Sequence, residues 1–501
     1  MAPTLLLINP AMAAGTGAHG PSLRSGRSLA DDGSPAETGP RGRRHKRRLV
    51  HAGGAISMEP LALAYVAALT PPHWQVRIVD EVAEELPDDL EPDLVALTSL
   101  TITVPRAYEI ARHYRQQGVP VVLGGVHATL VPDEAQQYVD VVYQGEAESS
   151  WPALVADFEG GRLKPRYNGG ATSSGEKDPS LRSERGYQLR NLPVPRRSAY
   201  GRSYLLQLVS ASRGCVYRCE FCTLWKMEGG RYRVRPPLEV VDELATTARR
   251  RPVLFTDENV FVDREWALAL FREIARRGIR RSFAVQASLD VAGDDEMLVA
   301  LKESGCMTVL VGLESLNEES LRAMRKGVNL RIGVDHYAES IRRLHDRGLA
   351  VSGTFIFGYD GDGPDTFRRT VDFVLETGLD IAHFGLLTPI PGTDLYDRLA
   401  REDRLLYTHF PGDYSRYDLR TAVFRPARMT PEQLEEGLAS AAQAVGSVGV
   451  IVRRTWRTWR ATGSLLMAAL ALGWNRTGLY RRILDGTSQQ ATTLPRGEQT
   501  T

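Results

Sequence analysis

The 501-residue chain is poor in cysteine, in charge of one sign and in long apolar runs. Four cysteines cannot form a disulfide framework in a chain of this length, so a reducing, cytoplasmic setting is expected. With 62 basic and 61 acidic side chains the net charge is +1. That balance excludes a whole-chain field for nucleic acid or membrane, and no nucleic-acid partner is expected. No run of about 18 apolar residues occurs, so no bilayer-spanning helix is expected. The longest candidate is LLMAALALGW, residues 465–474. The start, MAPTLLLINPAM, has too short an apolar run and too little charge for a secretory signal.

What is present alternates. TLLLIN, WQVRIVD, DLVALTS, VPVVLGG and VDVVYQG read as apolar strands, with helical stretches such as PRAYEIARHYRQQG between them. Alternating strands and helices imply a parallel sheet covered on both faces. Residues 1–155 are therefore expected to form a doubly wound, flavodoxin- or Rossmann-like α/β domain. Residues 14–48, rich in Gly, Ser, Pro and Arg, cannot bury enough surface to offset their ordering entropy and read as a disordered insertion. Its basic cluster, Arg43 to Arg48, reads as a solvated loop, with a polyanion contact as the alternative. Residues 156–203 read as a linker.

A second unit, residues 204–405, repeats strand then helix six times, from SYLLQLVSAS to IAHFGLLTP. Glycines recur at helix ends, at Gly278, Gly305, Gly348 and Gly378, where a left-handed cap is expected. Six units fit a partial (β/α)6 TIM-like barrel, whose chemistry belongs at the carboxyl ends of the strands. Residues 406–501 read as mostly helical with a frayed tail from Ser488. Thr430-Pro431-Glu432-Gln433 carries the signature of a capped helix start.

Three of the four cysteines stand together as Cys215-x3-Cys219-x2-Cys222, just after the first barrel strand. Three converging thiolates can hold zinc or ligate an iron–sulfur cluster. Structural zinc asks for four protein ligands, and no histidine lies within 200–240. Cys306 reads as a small buried hydrophobe. Three thiolates on a four-iron cluster leave one iron open for a small molecule.

The spacing, the place after the first strand, the six-unit barrel and the aromatic Phe221 before the third cysteine together resemble the radical S-adenosylmethionine (SAM) superfamily over residues 204–400. The resemblance implies a [4Fe-4S] cluster on Cys215, Cys219 and Cys222, with SAM on the open iron as the source of a radical that abstracts hydrogen from substrate. It implies SAM-binding roles at strand ends: Asp257, with Glu258 and Asn259, in a segment departing from the family's Gly-Gly-Glu form; Gln286 and Ser288; Glu314; and Gly353 at the start of a segment lying against adenine.

The first domain resembles the cobalamin (B12)-binding domains found ahead of such barrels, through PLALAYVAAL, VALTSLTITVPRAYEIAR, GGVHATLVPDEA and GEAESSW. The resemblance places Ser99, Leu100 and Thr101 beside the corrin, with Gly124, Gly125, Gly145 and Glu146 on neighbouring loops. The Asp-x-His-x-x-Gly motif that supplies a lower cobalt ligand is missing; His127 reads as a loop histidine without a metal role. A flavodoxin-like domain without ligand is the alternative.

The reading that follows is a cobalamin-dependent radical SAM enzyme, a methyltransferase acting on an unactivated carbon of a lipid or natural-product intermediate. The alternatives are a cyclase, oxidase or rearrangement enzyme using the same cofactors, and a non-enzymatic iron–sulfur or corrinoid sensor. A reductant such as flavodoxin or ferredoxin is implied. Residues 451–476, with Arg453, Arg454, Arg457 and Arg460 interleaved with Trp456 and Trp459, read either as a core helix docked on the barrel or as a peripheral membrane contact.

Overall fold

A computed structural model describes residues 2–12, 58–87, 89–169 and 189–477. The expected disordered insertion, with its basic cluster, and the polar tail lie outside these residues.

The first sheet is built from β1 (Thr4–Asn9), β2 (Gln75–Asp80), β3 (Leu94–Thr98), β4 (Val121–Gly124), β5 (Val141–Gln144) and β6 (Arg166–Asn168). Its order is β2-β1-β3-β4-β5-β6, and every pair is parallel. The inner strands are continuous apolar runs because helices cover both faces, leaving two apolar clusters, one on each side. β6 lies in the stretch read from sequence as linker. It is three residues long, and only Tyr167 of Arg-Tyr-Asn is buried, so it carries no apolar run to detect.

The second sheet comprises β7 (Gln207–Val209), β10 (Val253–Phe255), β11 (Phe283–Ala287), β12 (Cys306–Glu314), β13 (Ala350–Phe357) and β14 (Ile381–Leu386). A small antiparallel pair, β8 (Ser212–Arg213) with β9 (Arg233–Val234), stands between β7 and β10 in the chain. The six strands run in the order β14-β13-β12-β11-β10-β7, all parallel, with β7 and β14 left as the two open edges. Alternate residues such as Phe283, Val285 and Ala287 are buried under the surrounding helices, while Ala284, Gln286 and Ser288 are less covered and face the lumen. Gly278, Gly305, Gly348 and Gly378 all adopt positive φ at helix ends.

The C-terminal region is divided. Residues 402–430 contain a single short turn of helix, and Tyr414, Tyr417 and Val423 join the core of the first domain. The Pro431–Gly446 helix starts on the Thr430–Gln433 capping box and packs on the barrel. The Leu465–Thr477 helix closes the amino end of the barrel, where Met467 and Ala471 meet Ala350 and Ile381.

Candidate active site

The loop after β8 carries the three cysteines. Gly214 opens it at φ +89, and a side chain there would lie 1.9 Å from the Arg231 carbonyl, so only glycine admits the turn. Cys219 is buried, Cys215 and Cys222 are half-buried, and all three are unpaired. Phe221, between them, packs against the barrel core. Burial pushes the thiols up, Cys219 to about 11, while the Lys326 ammonium draws all three back down. The thiols are near enough that each of Cys215 and Cys222 disfavours ionisation of Cys219.

Among the described residues, no three His, Cys, Asp or Glu side chains close around a single ion. A zinc site would need its sulfurs on one centre at about 2.3 Å. A cubane instead takes each thiolate on a different iron, so its sulfurs stay further apart around a shared space. Three thiols fall short of the four protein ligands of a structural zinc site and match a four-iron cluster with one iron left open.

Glu220, between two of the cysteines, fastens the loop. Its carboxylate accepts from Arg398 Nε at 2.8 Å and Nη2 at 3.2 Å. Its backbone carbonyl accepts from Leu395 N and its N–H donates to Met324 O, both at 3.1 Å. Arg398 belongs to the helix after β14, so the cysteine loop spans the gap between the two open edges of the barrel.

At the end of β12 the ladder slips between Gly312 and Glu314, and Glu314 sits at φ +63, an uncommon conformation for a residue with a side chain. The bulge turns its carboxylate onto Lys326 Nζ at 2.7 Å and the Thr354 hydroxyl at 3.3 Å. A side chain at Gly312 would lie 2.3 Å from the Glu314 carboxylate. Burial opposes the Lys326 charge, but Glu314 and the thiols of Cys219 and Cys222 outweigh it and hold the ammonium above the ordinary lysine range. Sequence reasoning missed Lys326, which lies between two short helices and reads as surface.

The β10 end divides its polar residues. Asp257 is fully buried and accepts from Ala211 N at 3.1 Å, from the Ser212 hydroxyl at 2.5 Å and from Ser212 N. Burial raises it to about 6, against the pull of those donors. It braces the backbone just before the cysteine loop. Glu258 faces an open cavity, accepts from Gly214 N at 3.2 Å and is raised by burial to about 7. Asn259 donates to Ser288 Oγ at 3.0 Å, tying two strand ends together. Gln286 faces the lumen. Gly353 lies against Leu313 and Leu379, where a side chain would meet methyl carbons at 2.8 and 2.9 Å.

The cavity that Glu258 faces has a volume of about 690 Å³ and lies between the carboxyl edges of the two sheets. Leu100, Gly124, Gly125, Gly145 and Glu146 line one side; Ser210, Thr256 and Glu258 line the other. A larger groove of about 1070 Å³ opens elsewhere, between Pro105 and Pro165, and takes in none of the candidate site residues.

The first-domain wall fits a large cofactor. Ser99 Oγ is buried without a hydrogen-bond partner. Leu100 is an apolar side chain left 55% exposed at the cavity wall. Gly125 adopts φ +93 and ψ −170, where a side chain would lie 2.7 Å from Ser99 N. Thr101 turns away, its hydroxyl 3.3 Å from His127 Nδ1. His127 is fully buried, its Nε2 2.9 Å from Glu134, and no histidine lines the cavity among the described residues.

Glu146 is held by ion pairs across the domains. Arg213 Nη1 and Arg233 Nη2 each donate to it at 2.7 Å, and Arg233 Nη1 at 2.8 Å. Burial opposes its charge, but the two guanidiniums overcome that and hold it at about 2. Glu228 pairs with Arg233 and Glu148 with Arg213, so the strands on either side of the cysteine loop are clamped to the first domain.

Comparison with known proteins adds to this geometry. The radical SAM superfamily model matches residues 209–374, and the B12 binding domain model matches residues 50–155. Bacteriochlorophyllide d C-12(1)-methyltransferase of Chlorobaculum tepidum is 31% identical over 408 residues, 80% of this chain and 85% of that protein. Anaerobic magnesium-protoporphyrin IX monomethyl ester cyclase of Cereibacter sphaeroides is 27% identical, over 77% of this chain and 67% of that protein. The radical SAM methyltransferase TsrM of Kitasatospora setae, solved with cobalamin and a [4Fe-4S] cluster, superposes with a TM-score of 0.63 at 18% identity, over 98% of this chain and 100% of that chain. That structural match extends the shared fold through the C-terminal helices.

Proposed function

This chain belongs to the radical SAM superfamily, in the group that carries a B12 binding domain, and we propose that it is a cobalamin-dependent C-methyltransferase. The observation that supports this most is the shared cavity: loops of the B12-binding type and the cysteine side of the barrel open into one space of about 690 Å³. A methyl group passed between two cofactors and a substrate needs such a common, walled space. When bound, SAM with the reduced cluster supplies a hydrogen-abstracting radical, and cobalamin supplies a methyl relay.

The residues divide the work. Cys215, Cys219 and Cys222 would hold the cluster. Lys326 and Glu314 form a paired cation and anion at a strand end, suited to the carboxylate and ammonium of an amino-acid ligand such as SAM. Ser99 Oγ and the backbone at Gly124, Gly125 and Gly145 would meet the corrin, with Leu100 against its face. Asp257 and Glu146 brace the walls. Glu258 can hold or release a proton near neutral pH at the cavity surface.

The substrate is a lipid or natural-product intermediate, and the electron donor is a small reductant such as flavodoxin or ferredoxin. The enzyme works in the cytoplasm, with a peripheral membrane contact through 451–476; no helix among the described residues is long and apolar enough to cross a membrane. A cyclase is the second reading, favoured by the likeness to the magnesium-protoporphyrin ester cyclase.

The test is anaerobic. Reconstituted protein is assayed for iron, sulfide and corrinoid, then given reductant, methyl-deuterated SAM and candidate substrates. S-Adenosylhomocysteine together with 5′-deoxyadenosine and a labelled product supports methylation. Deoxyadenosine alone, with an altered but unlabelled product, moves the reading to the cyclase. Bound cofactors with no SAM cleavage move it to a sensor.

A further inference from the structure

We propose that the outward face of the Val448–Thr462 helix, with the turn after it, docks the enzyme on an anionic lipid bilayer. This deepens the membrane contact of the proposed function and rests on that part of the reading.

Surface helices normally turn their apolar side inward. This helix is reversed. Its inner face is polar: Arg454 is 1% exposed and Thr458 fully buried. Arg454 donates to the Leu379 carbonyl at 3.0 Å and the Asp380 carbonyl at 3.2 Å, and the Thr458 hydroxyl donates to the Asp380 carboxylate at 2.5 Å. Polar bonds therefore hold the helix on the barrel, with Ile451 as its large buried apolar residue.

The apolar side chains point away. Val448 is 79% exposed, Val452 60%, Trp456 52% and Trp459 44%. Steps of three and four residues put them on one stripe. Gly463 ends the helix at φ +66, and beyond it Leu465 and Leu466 stand 74% and 48% exposed. Six of the exposed large hydrophobic residues thus fall within Val448–Leu466.

The charge beside the stripe selects the partner. Residues 448–477 contain five arginines and no acidic residue, in a chain whose net charge is +1. Arg453 and Arg460 are exposed along one margin, and the Arg460 guanidinium lies 5.0 Å from the Trp456 ring centre. Tryptophans between an apolar stripe and a basic margin suit the boundary between acyl chains and anionic headgroups. A second copy seated on the same face would set one arginine margin against another.

The surface lies at the amino end of the barrel strands, the end opposite the cysteines. It anchors the enzyme without taking part in chemistry, so binding and turnover separate experimentally. The full chain, anaerobically reconstituted, is floated with vesicles of phosphatidylcholine alone or with added phosphatidylglycerol. Flotation is expected with phosphatidylglycerol vesicles at low salt and about tenfold weaker on phosphatidylcholine. Trp456→Ser with Trp459→Ser is expected to weaken it at least about tenfold. Arg453→Gln with Arg460→Gln is expected to abolish the preference for phosphatidylglycerol, and Val448→Asp to repeat the loss from the other end of the stripe. Iron content and deoxyadenosine formation stay unchanged in each. Absence of flotation by the unaltered chain, or unchanged flotation of the tryptophan variant, overturns the proposal. So does a dimer in sedimentation without vesicles that the tryptophan variant converts to monomer. A chain that floats but makes no methylated product overturns the methyltransferase reading alone.

Discussion

The two walls of the central cavity are made by different means. The first-domain wall brings backbone to the cavity among apolar side chains: three glycines, a buried hydroxyl without a partner and one exposed leucine stand beside Tyr65, Tyr143 and Trp151. The barrel wall presents polar side chains, Ser210, Thr256 and Glu258, and the three thiols and the Lys326–Glu314 pair stand at the same end of the barrel without lining the cavity. A backbone wall reads the shape of a large ligand and is damaged by adding atoms. A side-chain wall reads charge and is damaged by removing them. Variants of opposite kinds should therefore affect different cofactors.

The largest effect is expected from Cys219→Ser, which removes a thiolate without altering shape. Iron and sulfide should be lost and SAM cleavage abolished, while corrinoid binding to the other wall persists; elemental analysis and absorption spectra measure both. Gly125→Ala is the reverse experiment. Its φ of +93 with ψ −170 is a conformation essentially confined to glycine, and the new methyl group would meet Ser99. Corrinoid occupancy should fall at least about tenfold with iron unchanged, given strain of about 1–3 kcal/mol before any contact is counted.

Glu146→Gln tests what joins the walls. Breaking a partly buried pair that serves two arginines should lower stability by about 3 kcal/mol, read from thermal unfolding of the reconstituted protein. Its folded value of about 2 lies below the ordinary 4.5, so its contribution is present above pH 4.5 and is lost as pH falls toward 2. The variant should lack that acid dependence. The smallest effect is expected from Glu258→Gln. The folded carboxyl, raised to about 7 from 4.5, binds more protons than the unfolded one across that window, so it erodes stability as pH rises. The variant should gain on the order of 2 kcal/mol relative to the parent by pH 8, seen as a melting difference that widens with pH. A flat difference would place Glu258 in water.

The two walls were not equally legible in the sequence. Apolar runs of four to six residues disclosed the inner strands of the first sheet, because parallel strands buried on both faces have little else to show. The cysteine spacing marked the candidate cluster loop, because the three thiols stand close together in the chain. Lys326 was hidden because its partner Glu314 comes through a bulge twelve residues earlier, and neither period nor spacing predicts a slipped register. Glu146 was expected beside the corrin; its place at the cavity edge is accompanied by two arginines that flank the cysteine loop, 67 and 87 residues away. The Val448–Thr462 helix exposed its amphipathic pattern in the sequence but not which side faces the barrel, since an arginine and a threonine on the inner face invert the usual rule.

The Glu220–Arg398 pair has a consequence for the life of the polypeptide. An open six-stranded barrel has no hydrogen bonds between its first and last strands, and here the cysteine loop acts as the buckle across that seam. Glu220 and Arg398 stand 178 residues apart in the sequence, so the seam can be fastened only once the last helix of the barrel has been made, and a chain cut short before Arg398 keeps it open.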